Sequence, residues 1–215
     1  LLPSRKLSTR TICIGNITTG GTGKTSAVLL AAQTLRRRQI KTAILTRGYK
    51  RLRAGKDVQV LLNSQNVPWQ ETGDEPWMMH RALRGLEVPI LIHPDRYYAG
   101  ITAQTYYNPD VILLDDGFQH RRLGRDLDIV LINSRDPFGG DRLLPSGDLR
   151  EPVGALRRAG LVILTHVDEV PKGRVEEIRR RVLDISPELP VLESVHRADF
   201  VFDLKSERRR RLLYL

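Results

Sequence analysis

"NITTGGTGKTSA", residues 16–27, follows directly on the apolar run Thr11-Ile12-Cys13-Ile14. It closes with Gly23-Lys24-Thr25, the ending of the phosphate-loop pattern G-x-x-x-x-G-K-[ST], but Thr18 stands where that pattern has its first glycine. A strand, a glycine-rich turn and a helix opening on Gly-Lys-Thr together place a nest of backbone N–H groups at a positive helix end. The expected phosphate cradle comprises Thr18, Thr19, Gly20, Gly21, Thr22, Gly23, Lys24 and Thr25. Within it Lys24 reaches the β- and γ-phosphates and the Thr25 hydroxyl is a Mg2+ ligand. Gly20, Gly21 and Gly23 let the backbone approach phosphate closely. Thr18 shapes the loop's entry and holds no phosphate itself. A glycine-rich turn that merely joins strand to helix is the plain alternative, and the strand and helix context speaks against it.

Working outward, "VILLDDGFQH" runs an apolar strand into Asp115 and Asp116. A carboxylate ending a buried strand beside a phosphate loop is the Walker B arrangement, which holds Mg2+ directly or through water. Taken alone, a strand followed by Asp-Asp-Gly is more often a turn. Further short β-branched runs fall at residues 41–46, 57–62, 88–92, 128–132, 161–164 and 191–194. Helical stretches are expected at 24–38, 75–83, 96–104, 153–158 and 174–183. Near-continuous apolar strands alternating with helices predict an α/β fold, P-loop NTPase-like, with a mostly parallel sheet flanked by helices on both faces. Residues 50–57 and 135–151 read as long loops of the kind that carry a site at the ends of parallel strands.

At 215 residues the chain is long enough for a full core, and 40% hydrophobic with 28% charged residues excludes a disordered chain. Lysine and arginine exceed aspartate and glutamate by 35 to 25, which favours anionic partners without choosing among them. Cys13 is the sole cysteine, so a disulfide framework and a cysteine-based metal cluster are excluded. No apolar run approaches the length of a spanning helix.

Several strings, taken in order and spacing, go further: "GNITTGGTGKT", "LTRGYKR", "GDEP", "PDR", "LDDGFQHRRLGRDLDIVLIN", "PFGGDRLLPSGDLREPVGALRRAG" and "VILTHVDE". Over about residues 11–168 the chain resembles the tetraacyldisaccharide 4'-kinases, the lipid A 4'-kinases of Gram-negative bacteria. In that family the first loop position is also commonly not glycine. The resemblance implies transfer of the ATP γ-phosphate to the 4'-hydroxyl of a tetraacylated disaccharide 1-phosphate in lipid A biosynthesis. Implied cofactors are ATP and Mg2+, and the implied place is the cytoplasmic face of the inner membrane. Implied partners are that lipid substrate and, peripherally, an anionic membrane surface, with no nucleic acid. Asp74 matches the residue that takes the acceptor's proton, although a carboxylate before Pro76 is otherwise an ordinary helix cap. Catalytic roles fall to Asp74, Lys24 and Arg150, metal contacts to Thr25, Asp115, Asp116 and Glu151, and a place near the nucleotide to His120. Arg47, Gly48, Tyr49, Asp95 and Arg96 are expected to line the site. The runs 36–38, 179–181 and 208–211 are arginine-rich solvated faces that a membrane-bound acidic substrate would give a use.

Family members also carry an apolar N-terminal helix and a C-terminal part that closes over the site and supplies a histidine partner for the Asp74 position. The resemblance implies that both lie outside this chain, with residues 1–200 a kinase core and 201–215 a basic tail. None of His80, His93, His120, His166 and His196 is assigned the partner's role. Two other readings stay open. "THVD", residues 165–168, resembles the Asn/Thr-Lys-x-Asp signature by which P-loop GTPases read guanine, with His166 in place of lysine. A non-catalytic homologue that keeps only the nucleotide site is the other. A nucleic-acid module is suggested by the net charge of +10 and supported by no motif.

Overall fold

Eight strands make one sheet: β1 (Arg10–Asn16), β2 (Thr42–Thr46), β3 (Gln59–Leu61), β4 (Ile90–Ile92), β5 (Val111–Asp115), β6 (Leu127–Asn133), β7 (Leu161–Thr165) and β8 (Val191–Glu193). They lie in the order β3-β4-β2-β5-β1-β6-β7-β8. β3 pairs antiparallel to β4 and the other neighbours pair parallel. The computed structural model describes residues 4–48, 57–62 and 67–196, and the backbone of two short strands, β9 (Phe200–Phe202) and β10 (Arg209–Arg211), which pair antiparallel. Tyr49 and residues 50–56 therefore lie outside the described residues.

The central strands are apolar on both faces because both faces are covered. All five residues of β5 are buried. Ile112 and Leu114 join the core under α4 (Arg96–Tyr107) and α5 (Lys172–Ile185), with Ala99, Ala103, Ile178 and Val182. Val111 and Leu113 join the opposite core under α1 (Lys24–Arg37) and α3 (Asp74–Ala82), with Val28, Ala32, Met79 and Leu83. Successive strand residues alternate between faces, so one unbroken apolar run feeds two cores. Each fully buried Leu or Ile contributes about 1.5–3 kcal/mol by leaving water.

Three local expectations are corrected. The strand expected at 57–62 is confined to Gln59–Leu61, and residues 153–158 form a 3-10 helix instead of an α-helix. Asp74 is not a cap: it is the first helical residue of α3, following the short helix α2 (Trp69–Thr72). Gly73 takes the cap position with φ 89° and ψ 157°, a backbone state open to glycine and closed to aspartate.

The parallel strands deliver their carboxyl ends to one rim of the sheet. β1 ends there in the glycine-rich loop, β2 in Thr46, β5 in Asp115, β6 in Asn133 and β7 in Thr165. Ligand crevices of open α/β sheets lie at that rim, beside the strand where the winding reverses.

Candidate active site

Thr18 pairs with Leu149 in an antiparallel bridge, and its neighbours extend the pairing. The Thr19 N–H donates to the Asp148 carbonyl at 2.7 Å, and the Arg150 N–H donates to the Ile17 carbonyl at 2.8 Å. A residue held in extended pairing has no use for glycine's freedom, and the Thr18 side chain is buried. That accounts for threonine at the first loop position. Gly20 and Gly23 do use the freedom, with φ of 97° and 80°.

The rest of the loop is fastened from several elements. Asn16 Nδ2 donates to Thr22 Oγ1 at 3.0 Å, and Gln119 Nε2 donates to the Asn16 carbonyl at 2.8 Å. From the ends of β6 and β7, Asn133 Nδ2 and Thr165 Oγ1 each donate to loop carbonyls, of Gly21 and Thr22 respectively, at 3.2 Å. Carbonyls tied outward leave loop N–H groups for a ligand, apart from those of Thr19 and Thr22, which donate to the Asp148 and Gly20 carbonyls.

Two cavities meet at this loop. A smaller one, about 290 Å³, is lined by residues 20–26 and Glu75. A larger one, about 740 Å³, is lined by Lys24, Thr46, Arg47, Gly48, Glu75, Pro94, Arg96, Asp115, Asp116, Gln119, His120 and Arg150. Lys24 and Glu75 line both, so they form the shared wall.

Along that wall, Thr25 Oγ1 donates to Glu75 Oε1 at 2.5 Å. Asp116, with φ 48°, is gripped by Arg150, whose Nη1 lies 2.9 Å from both carboxylate oxygens, and Lys24 Nζ stands 3.8 Å from Asp116 Oδ1. Burial holds the Lys24 ammonium below its ordinary pKa against the pull of Asp116. Asp115 is buried and accepts a hydrogen bond from Thr46 Oγ1 at 2.9 Å, while its Oδ1 has no partner. Burial, with the Glu75 carboxylate adding to it, pushes Asp115 up to about 7.

Each expected residue has its place. Lys24, Asp115, Asp116, Arg150, His120, Arg47, Gly48 and Arg96 line the larger cavity. Asp95 instead caps α4, accepting from the N–H groups of Tyr97 and Tyr98. Asp74 is exposed and is not among the lining residues; its neighbour Glu75 is. Glu151 is bound by Arg158 Nη2 at 2.8 Å and is likewise absent from the lining. Glu75, Thr46 and Gln119 were not read from the sequence as site residues. "GDEP", "ILT" and "DGFQH" carry them, and only their strand and helix ends show which side chains turn inward.

The oxygen donors Thr25, Glu75, Asp115 and Asp116 fit a hard cation, and the unpartnered Asp115 Oδ1 is the atom that needs one. Among the described residues no three His, Cys, Asp or Glu side chains converge closely enough to hold a metal alone. Mg2+ usually takes only one or two carboxylates and completes its sphere with water and substrate phosphates, so one or two of these acids suffice. A consequence follows for stability without ligand. Asp115 has a folded pKa of about 7, above its ordinary 3.8, so the folded protein binds more protons than the unfolded chain between those values. Stability therefore falls as pH rises from about 4 to about 7. Denaturant titrations across that range are expected to show the decline, and Asp115→Asn is expected to flatten it.

Fold and loop together place the chain in the P-loop α/β class. The particular family follows from comparison. The sequence model of the family described as "Tetraacyldisaccharide-1-P 4'-kinase" matches residues 1–212, and the chain belongs to that family. Its relatives include a tetraacyldisaccharide 4'-kinase from Elusimicrobium minutum, 48% identical over 202 residues, covering 94% of this chain and 54% of that one. The Aquifex aeolicus tetraacyldisaccharide 4'-kinase is 42% identical over 170 residues, covering 79% of this chain and 52% of the relative. The chain thus spans about half the length of the curated relatives it matches. A crystal structure described as the "apo" form of LpxK from A. aeolicus in complex with ATP superposes with a TM-score of 0.72 at 36% identity, covering 89% of this chain and 56% of that one. The hydrogenase maturation factor HypB from Archaeoglobus fulgidus, with a TM-score of 0.52 at 15% identity over 87% of this chain and 81% of its own, shares the fold alone.

Proposed function

We propose that the chain is the nucleotide-binding core of an ATP-dependent kinase that moves the γ-phosphate to the 4'-hydroxyl of tetraacyldisaccharide 1-phosphate, in lipid A biosynthesis. The observation that carries this reading is the pair of cavities divided by Lys24 and Glu75. A phosphate tail in the smaller one directs its end into the larger, where an acceptor alcohol has room. Family membership supplies the identity of that alcohol.

Backbone N–H groups of residues 20–25, other than Thr22, bind the phosphates, and Lys24 neutralises charge between the two cavities. Thr25 with one or two of Glu75, Asp115 and Asp116 would hold Mg2+, which when bound offsets charge on the phosphate oxygens. Arg150 orients Asp116 and presents a guanidinium to the cavity, a suitable partner for a phosphoryl group in transit. The bond from the γ-phosphorus to its bridging oxygen breaks as the bond to the sugar oxygen forms. The family motif gives the hydroxyl proton to Asp74, which stands exposed at the mouth of α3 beside Glu75, outside the lining of the larger cavity. His120 and Arg96 line the acceptor side. Glu151, held by Arg158, keeps a metal role only if that ion pair opens.

Residues 1–200 are the core of this proposal, with a short basic segment after it. Peripheral work at the inner membrane belongs to the same reading. No helix among the described residues is long and apolar enough to cross a membrane. Of the arginine-rich stretches, Arg36 is paired with Glu87, Arg179 with Glu193 and Arg181 with Asp141, so part of that charge is neutralised within the protein. Incubation with γ-labelled ATP, Mg2+ and the disaccharide monophosphate lipid is expected to yield labelled bisphosphate. Labelled lipid refutes the non-catalytic alternative. ATP binding without labelled lipid refutes the kinase assignment for this chain, and GTP displacing ATP at lower concentration favours the switch-protein alternative.

A further inference from the structure

Two histidines stand at the rim that carries the phosphate loop, and the transfer proposed above uses neither. His166 directly follows β7 with φ 58°, and the buried Thr165 before it fastens β7 to the Thr22 carbonyl. His196 lies just beyond β8, whose end is held to β7 by the Ser194 N–H donating to the Leu164 carbonyl at 2.8 Å. The two rings are stacked, with centroids 4.7 Å apart and planes inclined by 19°. His196 also lies against the loop itself: a Cβ on Gly23 would come within 2.5 Å of its Cε1 and Nε2. Gly23 is required for its left-handed φ of 80°, and the His196 ring packs against its open side.

The chemistry of the pair is specific. β6, β7 and β8 follow β1 across the sheet, so Asn133, His166 and His196 line one continuous edge beyond the phosphate loop. Burial, then the neighbouring His196 and Arg135, hold the His166 ring below its ordinary pKa. His196 is exposed, so the stacked pair presents an accessible ring beside the phosphate loop. A cationic lysine stem at position 166, as in Asn/Thr-Lys-x-Asp, would offer no such plane. The ligand class that extends from a phosphate chain and ends in a flat heteroaromatic ring is a nucleotide.

We propose that the His166–His196 pair is the shelf on which the base of the bound nucleotide stacks, an inference that rests on the nucleotide reading above. Contacts of this kind follow ring faces, so the shelf sets affinity for a base and leaves its identity to other groups. The rival is structural: the pair merely buttresses Gly23.

The test measures binding of ATP and of inorganic tripolyphosphate, each with Mg2+, by calorimetry. It compares the unaltered chain with His196→Ala, His196→Phe and Lys24→Ala. On the proposal His196→Ala weakens ATP binding roughly five- to a hundredfold and leaves tripolyphosphate within about twofold, and phenylalanine restores ATP affinity. Lys24→Ala weakens both ligands. An equal loss of both ligands in His196→Ala makes the pair a buttress and overturns the shelf. Unchanged ATP affinity in that variant overturns it too, while tight binding by the unaltered chain keeps the nucleotide reading intact. Should the unaltered chain bind neither ligand, the nucleotide reading falls and the shelf falls with it.

Discussion

Lys24→Ala is expected to reduce ATP affinity by at least about a hundredfold, with the fold unharmed. The ammonium stands in the wall between the two cavities, largely buried and 3.8 Å from Asp116 Oδ1. Burial disfavours its charge, and Asp116 only partly restores it. A triphosphate tail supplies the missing anions. One ion contact near 4 Å is worth about 4 kcal/mol at an effective dielectric of 20, which exceeds the loss predicted here. The carboxylates sharpen the effect. Asp115, Asp116 and Glu75 all line the larger cavity, so removal of the lysine leaves incoming phosphate facing three acids with one fewer cation. Without nucleotide the same change relieves a desolvated charge and opens no core cavity, so the thermal midpoint should hold or rise. Calorimetric titration with Mg2+·ATP, beside a thermal melt without it, checks both halves. Affinity within a few-fold of the unaltered chain would refute the role given to the loop.

Much of this architecture was written in local pattern. Residues 11–27 and 111–116 state a strand, a phosphate loop and a strand-end carboxylate outright, because backbone torsion and charge placement there depend on neighbours in sequence. The two-sided sheet was equally legible, since "VILLD" has no polar residue until its last and must be covered on both faces. The failures have a common cause. β3 is antiparallel because of where β4 lies, and a six-residue apolar pattern holds no information about direction. Threonine at position 18 agreed with the family resemblance, but its physical reason, pairing with Leu149 more than a hundred residues on, is absent from the local pattern. Glu75 was overlooked beside Asp74 because the spelling "GDEP" cannot say which of two adjacent carboxylates turns inward. That depends on Gly73, whose φ of 89° sets where α3 begins. His166 and His196 are thirty residues apart, and only the parallel pairing of β7 with β8 brings their rings together.

Those adjacent carboxylates give the second large effect. Consecutive helical residues point about 100° apart, so the first turn of α3 sends Asp74 and Glu75 in different directions. Glu75 reaches the shared wall and accepts the Thr25 hydroxyl, whereas Asp74 remains exposed at the helix mouth. On the proposed chemistry, Asp74→Asn lowers kcat by about 10²- to 10⁴-fold, the usual yield of a positioned base, and leaves ATP affinity within about twofold. Glu75→Gln is expected to act on binding. It removes a negative oxygen from the donor set around Thr25, so Mg2+·ATP affinity should fall roughly tenfold, most steeply at low Mg2+. Either change costs α3 about 0.3–1 kcal/mol of favourable charge at its N-terminus, so melts run in parallel separate folding from function. The discriminating pattern is the split itself, with turnover lost at 74 and metal-dependent binding lost at 75. The reverse result, an indifferent Asp74 and a Glu75 variant that binds normally yet transfers nothing, would move the base one residue along α3. It would place proton removal in the wall beside Lys24 instead of at the helix mouth.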